Sequence, residues 1–162
     1  MSALIRRPQN IVALTLFFGG TAAVYIASGI VTTASVNGWY QTLTKPSFNP
    51  PDWVFAPTWT VLYIMMALAG WMAWSRSANR HRRTVITAYS VQLGLNFVWS
   101  VLFFGLQWVG AALIEIVILW STILWAIIAF KSIYARAALL LVPYACWVSF
   151  AILLNAKIWI LN

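Results

Sequence analysis

Residues 109–130 read VGAALIEIVILWSTILWAIIAF, with Glu115 their only charge. A helix needs about 20 predominantly apolar residues to cross ~30 Å of hydrocarbon, and this run meets that length. Four more runs of the same kind lie at about 11–34, 56–75, 84–106 and 137–160. With 63% hydrophobic residues, 7% charged residues and a mean hydropathy of +0.86, the chain cannot cover a water-soluble exterior. None of the runs shows the alternation of ~10-residue strands expected of a membrane barrel. The expected fold is an all-α membrane protein, a five-transmembrane-helix bundle forming a single domain over residues 1–162.

The charges order this bundle. Arg6 and Arg7 precede span 1, Arg76, Arg80, Arg82 and Arg83 lie between spans 2 and 3, and Lys131 and Arg136 lie between spans 4 and 5. All of these fall on one side of a five-span arrangement, leaving only Lys45 and Lys157 on the other. Positive loops stay in the cytoplasm, so the N-terminus is expected inside, with a bacterial inner membrane as the expected location. The net charge of +8 therefore reports topology and contact with membrane lipids, not nucleic acid. The apolar core of span 1 is longer than the 7–15 residues of a signal peptide and reads as a retained span. Cys146, the lone cysteine, excludes an intrachain disulfide and reads as a small filler deep in span 5. His81 lies in a basic loop without companion ligands, so no protein-held metal is expected.

Between spans 1 and 2 the composition changes. The segment from Trp39 to Trp59, WYQTLTKPSFNPPDWVFAPTW, holds most of the chain's prolines and three of its tryptophans. Proline fixes φ and removes a backbone donor, so the segment is expected to be stiff without being helix or strand. An ordered connection of roughly 20 residues is long, and such loops are usually lids or binding loops.

Polar side chains inside the spans converge beneath that loop. Span 3 carries Gln92, Asn96, Trp99 and Phe103 on one helical face, and span 5 carries Tyr144, Trp147, Ala151 and Asn155 on another. Span 2 opens with Trp59 and Tyr63, one turn apart. Glu115 lies about six residues, or ~9 Å, below the outer end of span 4. In the expected topology Trp59, Asn96, Trp99, Ser100, Glu115 and Asn155 all occupy the outer half. Buried Asn and Gln also simply join neighbouring helices, at about 0.6 kcal/mol each. An ionised acid at the membrane centre costs about 2.5–3.5 kcal/mol, so Glu115 should face the bundle or carry a proton. Trp71, Trp74, Trp108 and Trp159 read as interfacial anchors. Gly19, Ala23 and Ala27 form a stripe suited to helix packing, a flat wall for a planar ligand, or a dimer face.

Several motifs resemble the tryptophan-rich sensory protein and translocator protein family (TspO/MBR). They are Trp39-Tyr40, the run Lys45-Pro46-Ser47-x-x-Pro50-Pro51, Phe55-x-Pro57-x-Trp59-x-x-Leu62-Tyr63, Gln92-Leu93-x-x-Asn96-x-x-Trp99-Ser100 and Pro143-Tyr144-x-x-Trp147-x-x-Phe150-Ala151-x-x-Leu154-Asn155. The resemblance covers about residues 11 to 160. It implies a homodimer that binds porphyrins such as protoporphyrin IX or haem and, in many members, sterols and benzodiazepine-type ligands. It also implies a pocket closed by the first loop and lined by Tyr40, Pro50, Trp59, Tyr63, Asn96, Trp99, Trp147 and Ala151. Glu115 matches a position that is acidic in some members. In Leu154-Asn155-Ala156-Lys157 the tyrosine of the animal sterol stretch is missing, which favours a tetrapyrrole over a sterol.

The expected function is thus a porphyrin-binding membrane protein engaged in homeostasis, sensing or transport, with no covalently bound cofactor and no catalytic residues. Two other classes remain. Indoles beside a photosensitising ring would suit a light-dependent porphyrin-degrading enzyme, although Asp52 and Glu115 are the only acids. A small-solute transporter would use Glu115 as a proton relay, but no inverted repeat or interrupted helix pair is evident.

Overall fold

The computed structural model describes residues 8–162, so Arg6 and Arg7 lie outside the described residues. Helices α1 (Pro8–Val36), α3 (Phe55–Arg76), α4 (Asn79–Ser100), α5 (Val109–Lys131) and α7 (Val142–Leu161) form the bundle. Two short helices sit at its ends, α2 (Trp39–Thr42) and α6 (Ala135–Leu139). The stretches Asn10–Val36, Asp52–Arg76, Asn79–Gly105, Val109–Lys131 and Ala135–Leu161 are each long and apolar enough to cross a bilayer. Hydrocarbon offers no water to unpaired N–H and C=O groups, so each crossing closes its own backbone bonds.

The outside of the bundle is as oily as the inside. Leu16, Ile30, Ile114, Ile128, Leu153 and Ile160 all point outward, as lipid contact requires. Inside, Ala69, Ala73, Ala88, Ala126 and Ala137 are buried at helix contacts, where small side chains let backbones approach. Met66, Ile123, Phe130, Tyr144 and Val148 fill the spaces between them. At the end away from the first loop, the Arg76 guanidinium lies 3.7 Å from the centre of the Tyr134 ring and that of Arg82 lies 4.4 Å from the centre of a Trp74 ring. The two basic connections therefore share one end of the bundle, as the charge pattern predicts.

Four expectations need correction. Trp71 is a core residue, buried with its indole N–H donating to the Asn10 carbonyl at 2.9 Å, and is no interfacial anchor. Trp108 and Trp159 are exposed, as anchors should be. Cys146 is exposed on the outer face of α7, beside an open apolar groove against α3, and fills no core space. Gly19 and Ala23 are exposed, and no atom lies within 4 Å of a Cβ built on Gly19, so the stripe is not a helix-packing face within the chain. The first loop also carries one turn of helix at its start and a 3₁₀ turn, Asp52–Val54, at its end, so it is only partly irregular.

Gly70 marks the tightest crossing. A Cβ there would lie 2.7 Å from the rings of Phe17 and Tyr89, which meet edge to face with centroids 4.7 Å apart. Tyr89 is held in place by its bonds to the Thr21 hydroxyl and the Phe17 carbonyl. Gly70→Ala should therefore destabilise the bundle by about 1–3 kcal/mol, as overpacking does. A lowered thermal midpoint in detergent, absent for the exposed control Gly94→Ala, checks this.

Candidate ligand pocket

The first loop folds into a cap because its polar side chains bond to one another. Tyr40, on α2, is buried and donates to Asn49 Oδ1 at 3.1 Å, while Asn49 Nδ2 donates to the Pro50 carbonyl at 3.0 Å. Burial, helped by the charge of Asp52, pushes the Tyr40 hydroxyl up to about 12, against the opposing effect of its Asn49 bond. Lys45 Nζ sits 4.3 Å from the centre of the Tyr40 ring and donates to Gln41 Oε1 at 3.1 Å. Gln41 Nε2 in turn donates to Asp52 Oδ2 at 2.8 Å. A clamp from the last helix completes the cap. Asn162 Oδ1 accepts from the Thr44 amide at 2.9 Å, and Asn162 Nδ2 donates to the Thr44 carbonyl at 3.1 Å.

Under this cap lies a cavity of about 300 Å³. Its walls come from four crossings: Tyr25, Ser28 and Gly29 of α1, Trp59 and Tyr63 of α3, Asn96 and Trp99 of α4, and Trp147 and Ala151 of α7. Asn96 ties three of these helices, accepting from the Tyr63 hydroxyl and donating through Nδ2 to the Tyr144 hydroxyl at 3.0 Å. The Trp99 indole donates to Asn155 Oδ1 at 3.2 Å, and Asn155 Nδ2 donates to the Val109 carbonyl at 2.9 Å. The indole N–H groups of Trp59 and Trp147, by contrast, have no partner among the described residues. Ser28 Oγ, on the α1 wall, is buried and likewise has no partner among the described residues.

The upper wall depends on a local irregularity. Beyond Ser100 the helix widens into a π turn, Val101–Gly105, and the chain reverses through Gln107, whose φ is 60°. Ser35 Oγ donates to the Phe104 carbonyl at 2.6 Å, fastening this turn to α1. The extra residue places Phe103 and Phe104 side by side under the cap: Phe103 stacks on Trp99 with centroids 5.2 Å apart, and Phe104 meets Tyr40 at 5.7 Å.

Of the residues singled out by sequence, Tyr40, Trp59, Tyr63, Asn96, Trp99, Trp147 and Ala151 line this one cavity. Pro50 and Glu115 do not. Pro50 acts one step back, its carbonyl holding Asn49 under Tyr40, and Glu115 is buried behind the wall. Gly19, Ala23 and Ala27 are not in the wall, so their reading as a flat wall for a planar ligand does not hold; α1 contributes Ser28 and Gly29 instead. Tyr25, Ser28 and Thr32, spaced i, i+3, i+7 on one face of α1, are the signal that marks this side.

The cap and four-helix wall fit the motifs that the sequence shares with a known family, and direct comparison decides the matter. The TspO/MBR family matches residues 12–160. The tryptophan-rich protein TspO of Chlorobaculum tepidum is 43% identical over 155 residues, covering 95% of this chain and 98% of that protein. The chain belongs to the TspO/MBR family. Another family member, the tryptophan-rich protein TspO of Archaeoglobus fulgidus, is 39% identical over 154 residues, covering 95% and 99% of the two chains. The translocator protein of Bos taurus is 35% identical over 123 residues, covering 75% of this chain and 73% of that one. With five spans, this TspO/MBR chain is a multi-pass membrane protein.

The clamp on the cap yields a prediction. Each of its hydrogen bonds contributes about 0.5–1.5 kcal/mol net, so Asn162→Ala should speed exchange of the Thr44 amide at least about fivefold. Asn162→Asp, which keeps the acceptor and loses the donor, should fall between. Hydrogen–deuterium exchange read at the first loop measures both.

Proposed function

We propose that this TspO/MBR protein binds a free tetrapyrrole, such as protoporphyrin IX, in the capped cavity, and acts in porphyrin homeostasis, sensing or transport rather than as an enzyme. The observation that carries this reading is an aromatic chamber with two unpaired indole N–H groups, those of Trp59 and Trp147, beneath a cap bearing Lys45. Aromatic walls offer large rigid contact to a planar apolar ring, and the few polar groups orient it. The propionates would point outward, toward Lys45 and water. A cavity of about 300 Å³ is at the small end for ligand pockets, so a ring this broad enters with the cap displaced outward. The same reading places the protein as a homodimer in the inner membrane with a cytoplasmic N-terminus, and ranks sterols and benzodiazepine-type compounds behind tetrapyrroles.

No His or Cys lines the cavity among the described residues, and His81 lies at the basic end beside Arg80. Tyr40 is held neutral, Tyr63 spends its hydroxyl proton on Asn96, and the Tyr25 hydroxyl is paired with that of Thr60 at 2.8 Å. Haem would therefore gain nothing over the metal-free ring. Titration by tryptophan quenching should give similar affinities for protoporphyrin IX and haem, with a haem spectrum lacking a protein axial ligand. A strong preference for haem would count against this reading. At Ala151, added bulk intrudes on the ring, so Ala151→Thr should weaken binding by about 1 kcal/mol or more, roughly fivefold. Trp147→Ala should weaken it further. Unchanged affinity in both variants would remove the cavity as the site.

A further inference from the structure

Glu115 has a place in the fold that the pocket reading does not use. It is 7% exposed, and neither carboxylate oxygen has a hydrogen-bond partner among the described residues. No cation faces it. On the elements packed against α5, Arg80, His81, Arg82, Arg83 and Arg136 lie at the basic end, as do Tyr134, beneath Arg76, and Lys131 on α5 itself. Tyr89 is turned toward α1, and Cys146 and Lys157 are exposed. Tyr144 is the remaining titratable neighbour, and it lies within electrostatic reach of Glu115.

The hydrogen bonds leading from the pocket run in one direction. The Tyr63 hydroxyl donates to Asn96 Oδ1, and Asn96 Nδ2 donates to the Tyr144 oxygen. The Tyr144 proton has no acceptor among the described residues. Successive donors aligned in this way polarise one another, and the series ends at a buried hydroxyl within electrostatic reach of an acid that lacks a donor. Its first two members, Tyr63 and Asn96, line the cavity.

We propose that Glu115 is a proton-binding site coupled to the ligand pocket through the series Tyr63–Asn96–Tyr144. The coupling rests on the cavity accepting an apolar ligand. Such a ligand expels water from the side of the wall that Tyr63 and Asn96 line, which favours the uncharged acid behind them. The occupied pocket thus takes up a proton from bulk water at Glu115, and ligand affinity falls as pH rises through the titration of that carboxyl. By linkage, the ligand shifts the proton equilibrium by the same factor.

The test uses the full chain in lipid nanodiscs with protoporphyrin IX dimethyl ester, a probe without carboxylates of its own. Affinity should fall at least about fivefold from the acid to the alkaline side of the titration, the lower end of ordinary coupling between sites. Glu115→Gln should hold the acid-side affinity at every pH. Tyr144→Phe should flatten the profile while the infrared carboxyl band of Glu115 still titrates. The ligand-free protein supplies a second readout: that band, missing in Glu115→Gln, should shift its midpoint in Tyr144→Phe. Matching pH profiles in the native protein and Glu115→Gln, or a Tyr144→Phe variant that keeps the native profile and midpoint, would overturn the proposal. If the ester fails to bind at any pH, the tetrapyrrole reading fails, and the ligand-free midpoint alone decides whether Tyr144 couples to Glu115.

Discussion

Asn96 must satisfy an amide inside a bilayer, and the rest of the pocket is arranged around how it does so. Its oxygen takes the proton of Tyr63 from α3 and its nitrogen donates to Tyr144 from α7, so one side chain on α4 sets the mutual rotation of three helices. Once these rotations are set, Trp59, one turn before Tyr63, and Trp147, nearly one turn after Tyr144, face a common space. The hydrogen bond that joins the helices and the cavity that a ligand would fill are thus two results of one constraint. Reading Asn96 as helix glue and reading it as a pocket residue are both correct.

The cap follows a different logic. It lies at the bilayer surface, where side-chain and backbone groups can pair with water, so its order has to come from bonds that outcompete solvent. Proline supplies part of that order by limiting the unfolded alternatives. The network of Tyr40, Asn49, Gln41, Lys45 and Asp52 supplies more, and the Asn162 clamp joins it to α7. The π turn completes the fit from below, with Phe103 stacked on Trp99 and Phe104 against Tyr40.

Particular residues show where sequence reading succeeds inside a membrane and where it fails. The helix faces bearing Gln92, Asn96, Trp99 and Phe103 and bearing Tyr144, Trp147, Ala151 and Asn155 were legible because polar side chains in an apolar span have to face inward. Trp71 and Cys146 were misjudged for the converse reason. An indole or a thiol is tolerated by lipid and by core alike, so its type says nothing about its direction. The helices are apolar on every side, and the amphipathic period that marks the buried face of a soluble helix is missing. Glu115 falls between these cases: its burial was legible from its charge, but its position behind the wall was not.

The amino-acid sequence alone determined that this chain is helical, that it crosses the bilayer five times, that its basic links share one end and that a stiff aromatic loop covers the other. It does so because length, hydropathy and charge act on each segment separately. Which side of α1 closes the pocket, where α4 loosens into a π turn, and which indoles keep a free N–H were decided only in the tertiary structure. Those outcomes depend on the partner each side chain finds on another helix, and in a solvent as apolar as the core itself only packing and hydrogen-bond pairing can choose that partner.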